Sequence, residues 1–207
     1  MDYRRIFQST AVSFADLVSR LPADRWDGPG LGDWTLRDLV GHTVSSALRQ
    51  VPTALATPGD AVAFESAEAY WSLARTVPPE VYAAHSAASS RDAKENGLAL
   101  GDDPAARVGE VVGRATQALA AAGDDDVIAT AVGGMRVRDW LPTRTFELVM
   151  HGMDVAAAGG VEFVLAPEAV ADTAAQAARV AAAVGDGPLL LRALTGRGAL
   201  PEKFSIL

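Results

Sequence analysis

The run Thr143-Arg144-Thr145-Phe146-Glu147-Leu148-Val149-Met150-His151-Gly152-Met153-Asp154 has the spacing of a helix with a narrow polar stripe. At roughly 100° per residue, Arg144, Glu147, His151 and Asp154 fall within about 80° of one another. Glu147 and His151 stand one turn apart and project from the same side. A carboxylate and an imidazole placed this way can bind one metal ion. A second imidazole from a neighbouring helix would complete a three-ligand site with positions left open for water or substrate. His42, far upstream on another helix-like segment, can supply it. The same stripe also has the form of a solvated face carrying ordinary i,i+4 pairs. Against that, Trp140, Leu148 and Val155 lie on or beside it, so it borders apolar surface, where buried polar groups need partners.

Outward from this run, the helix is expected to start between Asp139 and Pro142, with the proline in the first turn, and to stop at Gly159-Gly160. Upstream, residues 3 to 21 read as a helix ending near Pro22, and Asp27-Gly28-Pro29-Gly30-Leu31-Gly32 breaks the chain. Thr35-Leu36-Arg37-Asp38 has the form of a capping box opening a second helix, with an apolar stripe through Leu36, Leu39, Val40, Ala47, Leu48 and Val51. His42 sits at the edge of that stripe. Pro52 should end or kink this helix, which must stop by Pro58-Gly59. A helix is expected over residues 63 to 75, while 86 to 96 reads as helix or loop. Another helix spans about Pro104 to Ala122. Val127 to Val132 is β-prone, and Gly133-Gly134 marks a turn. Helices over 167 to 184 and 189 to 194 follow. The pattern predicts an all-α helical bundle with at most a minor β element.

With 207 residues, the chain suits one domain with a sizeable core. Only 21% of residues are charged, which fits a folded globular protein. The net charge of −8 argues against nucleic acid, whose phosphates need a basic surface. No apolar run is long enough to span a membrane, and Met1-Asp2-Tyr3-Arg4-Arg5 leads into no signal-peptide core, so a cytoplasmic protein is expected. The chain has no cysteine. Disulfides, thiolate zinc sites and cysteine nucleophiles are thereby excluded, and any thiol chemistry must use a thiol carried by a small molecule.

Other candidates each have two readings. Asp38 caps its helix or accepts a hydrogen bond from His42. Asp154 holds a ligand's free N–H or caps a neighbouring segment. Arg144 pairs with Glu147 or grips an anionic substrate group. His85 reads as a surface histidine rather than a fourth ligand, and Trp34, Trp71 and Trp140 read as core or pocket wall. Phosphate-loop spacing and a Gly-x-Ser-x-Gly elbow are both absent.

Two motifs carry a family resemblance. Gly32-Asp33-Trp34-Thr35-Leu36-Arg37-Asp38-Leu39-Val40-Gly41-His42 resembles the Trp–x–x–x–Asp–Leu–x–x–His signature of the DinB-like metal-binding superfamily. More closely, it is similar to the N-terminal domain of mycothiol-dependent maleylpyruvate isomerases. Arg144 to Asp154 resembles that family's second motif, Arg–x–x–Glu–x–x–x–His–Gly–x–Asp. The resemblance implies a four-helix bundle over residues 1 to 160 with a divalent metal, usually zinc, on His42, Glu147 and His151. Residues 161 to 207 are then a helical extension packed on the same domain. At this length the separate α/β C-terminal domain of the full isomerases, which helps bind substrate there, is not expected. The implied activity is metal-dependent S-transfer, thiol addition or thiol-assisted isomerisation of a small electrophile. Mycothiol or a similar thiol would be the cosubstrate, and Arg144 and Asp154 would assist catalysis. The alternative is a non-enzymatic module that binds metal or a small molecule; a third reading is a structural bundle with an empty site.

Overall fold

Asp2 accepts a hydrogen bond from the Arg5 N–H and so caps the first helix, α1 (Tyr3–Ser19). Ile6, Phe7, Thr10, Phe14, Leu17 and Val18 recur at helical spacing along it and are buried. Our computed structural model describes residues 2–206. A long helical stretch follows, made of α2 (Leu36–Thr43), a π-helical segment (Val44–Arg49) and α3 (Gln50–Leu55). Next come α4 (Ala67–Ser72), α5 (Pro79–Leu98) and α6 (Pro104–Ala121). A hairpin of β1 (Val127–Thr130) and β2 (Gly133–Arg136) precedes α7 (Val137–Gly159), α8 (Pro167–Ala183) and α9 (Gly187–Leu194).

The core is a ring of four helical pieces. α1 packs between α6 and α7, and the α2–π–α3 stretch closes the ring by packing on both α6 and α7. Phe7, Phe14, Leu17, Leu39, Leu48, Leu119, Trp140 and Leu148 meet inside it. Each such side chain contributes about 1.5–3 kcal/mol by leaving water, before the entropy of ordering is subtracted. Arg4 donates to the carbonyls of Leu119 and Ala122, each at 2.7 Å, and so caps the C-terminal end of α6. α5 lies outside the ring against α2, and α8 lies outside it against α7 and α4. The architecture is all-α with one two-stranded antiparallel sheet. No helix among the described residues is long and apolar enough to cross a membrane.

Several local expectations need correction. The helix expected from 63 starts only at Ala67, capped by the Ser66 hydroxyl, because the N–H groups of Ala63 and Phe64 bond to the Gly134 carbonyl. The ambiguous stretch 86 to 96 lies wholly within α5. The hairpin turns at Ala131-Val132, not at the two glycines, which open β2. A Cβ on Gly134 would come within 2.0 Å of the Ala61 carbonyl oxygen, so glycine there admits the crossing chain. α7 begins at Val137, which puts Pro142 in its second turn rather than its first. Pro52 lies inside α3. A helical proline clashes with the carbonyl four residues back, here that of Leu48, and Leu48 belongs to the widened π segment. The helix is relaxed at that point and runs on to Leu55, stopping before Pro58-Gly59 as expected.

Candidate metal centre

α2 opens with the capping box its sequence promised. The Thr35 hydroxyl accepts from the Asp38 N–H at 3.1 Å, and the Asp38 carboxylate accepts from the Thr35 N–H at 3.1 Å. Asp38 is therefore occupied as a cap and does not orient His42. Gly41 allows α2 to lie directly on α5, since a Cβ there would stand 2.2 Å from the Gly97 nitrogen. The next residue, His42, is held against α5 with its Nδ1 3.4 Å from the Ser89 hydroxyl. Trp34 packs beside the imidazole, 4.7 Å between ring centroids, and donates through Nε1 to Ser90 of α5.

α7 presents Glu147 and His151 to the same point. His151 Nε2 is 3.3 Å from Glu147 Oε2, and His42 Nε2 is 4.0 Å from that oxygen. The two imidazoles meet edge to face, 4.8 Å between centroids. Among the described residues these three side chains bring one ligand atom each to within 4.8 Å of one another. Donor atoms about 2.0–2.2 Å from a common tetrahedral ion lie roughly 3.3–3.6 Å apart. The trio is slightly wider than that, and small ring rotations close it. Two imidazoles with one carboxylate are a donor set that zinc and other first-row divalent metals accept. The residues fit the ion.

Neighbouring groups fix each of the α7 ligands. Asp154 lies 3.3 Å from His151 Nδ1, which leaves Nε2 facing Glu147. The Ser46 hydroxyl donates to Glu147 Oε2 at 3.2 Å. Arg144 is only 2% exposed. Its guanidinium donates to Thr143 Oγ1, the Ser46 carbonyl, Gln50 Oε1 and Tyr70 Oη, and lies over the rings of Tyr70, Trp71 and Trp140. No ion pair shorter than 4.0 Å joins Arg144 to Glu147 among the described residues.

Without metal, the three groups hold different charges. Burial would raise the Glu147 carboxyl, but the hydrogen bond from His151 and the positive charge of Arg144 overcome it and bring it down to about 2. Burial would likewise lower His151, yet the carboxylates of Asp154 and Glu147 raise it to about 9. For His42, burial and the neighbouring His151 charge act together and push it down to about 4. The metal-free centre thus holds one proton on His151, flanked by two carboxylates.

Two clefts reach these residues and share Glu147. One, of about 550 Å³ and the more polar of the two, opens on His42 and Glu147 and sets Ser45, Gln50, Tyr70 and Asp92 among apolar groups. The second, also of about 550 Å³, opens on Glu147, His151 and Asp154 and is mostly apolar. Trp71 and Trp140 form wall of the polar cleft, and the exposed His85 lies at its margin rather than in the trio.

Ser46, Ser89, Gln50 and Tyr70 were not singled out from the sequence. Ser46 and Gln50 follow His42 by one and two turns, so the helical register carried a signal for them. Ser89 had none, because the stretch around it shows no periodicity.

No match is found among curated proteins or among solved structures. Residues 7–156 match the family model of the mycothiol maleylpyruvate isomerase N-terminal domain, a span that contains both motifs and His42, Glu147 and His151. With well over half its length matched, the chain belongs to the mycothiol maleylpyruvate isomerase N-terminal-domain family.

Proposed function

We propose that the chain is a metal-dependent enzyme using mycothiol or a similar small thiol for S-transfer, thiol addition or thiol-assisted isomerisation of a small electrophile. The observation that carries this reading is the convergence of His42, Glu147 and His151 at the junction of two clefts. These three residues would hold the ion, with zinc among the metals their chemistry suits. A divalent cation there favours the thiolate form of a bound thiol near neutral pH.

The protein's own groups position the reactants. Asp154 orients His151 through Nδ1, and Ser46 fixes the Glu147 oxygen. Arg144 acts from inside the protein: its charge keeps Glu147 ionised, and its hydrogen bonds tie α7 to the π segment. Arg144 and Asp154 are positioning residues in this scheme. The nucleophile is the cosubstrate's sulfur, since the chain has no cysteine. Its electron pair forms an S–C bond to the electrophilic carbon. In addition the adjacent carbon takes a proton, and in transfer the leaving group departs with its electron pair. In isomerisation the S–C bond breaks again and the thiol is regenerated.

Calorimetry with mycothiol in buffers of different ionisation enthalpy tests the reading. Metal-loaded protein should bind the thiol with proton release, and metal-free protein should bind it weakly. Equal affinity for both forms would overturn metal activation and leave a non-enzymatic binding module.

A further inference from the structure

The second cleft differs from the first in origin as well as in chemistry. One wall is α7, with Phe146 and Met150 beside Glu147, His151 and Asp154. The opposite walls are alanines of α8, Leu190 and Leu194 of α9, and Phe204 and Ile206 of the C-terminal segment. Those opposite walls lie beyond the region that matches the family model. The segment carrying Phe204 is tied down from the far side, since Arg75 donates to the Ser205 carbonyl and to Asp186. Met150 and Leu194 are 42% and 72% exposed. Apolar side chains left open to water around a concavity of this size are the ordinary setting for a small apolar ligand.

Charge narrows the ligand further. Among the described lining residues there is no lysine or arginine, and the charged groups are Glu147, His151 and Asp154. Arg144 borders the polar cleft and not this one. A carboxylate entering beside Leu194 and Met150 would lose its hydration, meet no lysine or arginine, and approach two carboxylates that already flank the imidazolium of His151. An uncharged ring or alkyl chain loses nothing by the same move and gains apolar contact.

We propose that this cleft is the electrophile's site and takes an uncharged, apolar electrophile, with its reactive carbon at the Glu147/His151 end. The proposal rests on the thiol reading for the word electrophile, and on the cleft alone for the ligand class. The more polar cleft, which shares Glu147, is left for the hydroxyl-rich body of the thiol. In a transfer reaction with chlorodinitrobenzene, the thiol sulfur forms the S–C bond to the ring. Chloride leaves with the C–Cl electron pair, and the thiol proton goes to solvent.

A matched pair of ligands tests the ligand class without turnover. Unreactive dinitrobenzene and its anionic analogue dinitrobenzoate are titrated calorimetrically into metal-free protein, where no ion can ligate the carboxylate. The neutral compound should bind at least about tenfold more tightly, because placing like charges together is costly. Leu194→Arg, at an exposed position that does not support the core, should cut that preference at least about fivefold while leaving metal content and mycothiol binding unchanged. With metal and mycothiol present, chlorodinitrobenzene should be consumed faster than chlorodinitrobenzoate, with the ratio moved the same way by Leu194→Arg. Equal binding of the neutral and anionic ligands, or a preference that Leu194→Arg does not change, would overturn the proposal. Selective dinitrobenzene binding by a protein that fails to bind mycothiol would support the ligand class and overturn the thiol reading instead.

Discussion

His151 carries a proton that any metal ion must displace. Its pKa is raised to about 9, whereas His42 at about 4 and Glu147 at about 2 are already in their ligating forms at pH 7. Metal binding at pH 7 is therefore expected to release about one proton per ion, and the apparent affinity to rise about tenfold per pH unit until the pH passes His151's own value. Above pH 9 the curve should flatten. Calorimetric titration with zinc across this range measures both quantities, and no proton release at pH 7 would remove His151 from the ligand set. Asp154→Asn separates two effects of the neighbouring carboxylate. It takes away one of the groups that raise His151, so proton release at pH 7 should shrink. At pH 9 and above, where proton competition has gone, the variant should bind metal about 10- to 100-fold more weakly, the usual loss when a ligand's supporting group is removed. Unchanged affinity there would leave Asp154 without a positioning role.

Between elements, one close approach near the centre is glycine to glycine. A methyl group at Gly41 would stand 2.2 Å from the Gly97 nitrogen and 2.7 Å from the Asn96 carbonyl carbon, all of it backbone that cannot swing aside. Gly41→Ala should push α2 off α5 and cost about 1–3 kcal/mol, the range for overpacking a filled interior. Urea denaturation measures it, and a loss below about 0.5 kcal/mol would show that the helices can separate freely. The same contact explains why α5 was ambiguous in the sequence. Its buried positions along the contact are Ala93, Asn96 and Gly97, so it presents no apolar stripe for periodicity to detect. The capping box at Thr35 and the left-handed Gly160 that ends α7 were legible because caps are local chemistry. The π segment and the true hairpin turn were not. One reflects how a proline is accommodated within a packed helix, and the other a crossing loop segment that needs glycine at Gly134.

Across the whole molecule, both motifs bring their ligands together because the α2–π–α3 stretch and α7 are adjacent in the four-helix ring, which the family resemblance implied and spacing alone did not. The role of the C-terminal region was less legible, because its alanine-rich helix advertises a face without saying what it covers. α8 packs on α7 and α4, burying Ala169, Gln176, Val180 and Ala181. The Gln176 amide, oriented to satisfy both neighbours, accepts from Trp71 Nε1 at 3.0 Å and donates to the Pro142 carbonyl at 3.3 Å. Arg179 pairs with Glu68, whose carboxyl would be raised by burial but is held below its ordinary range by that hydrogen bond. These contacts join residues 161–206 to the ring, so we expect one cooperative unfolding transition for the whole chain. Removing everything after Gly160 should cost more than about 3 kcal/mol, since α7 and α4 lose a packed apolar partner. Glu68 adds a sign to the pH dependence. A carboxyl depressed in the folded state contributes stability above its unfolded value, and that contribution is lost as pH falls through the folded one. Thermal melts from pH 7 downward should therefore lose less Tm in Glu68→Gln than in the wild type across the acid range. Two separate transitions at neutral pH would instead make the C-terminal region an independent unit, and the cleft it walls would open and close without disturbing the metal centre.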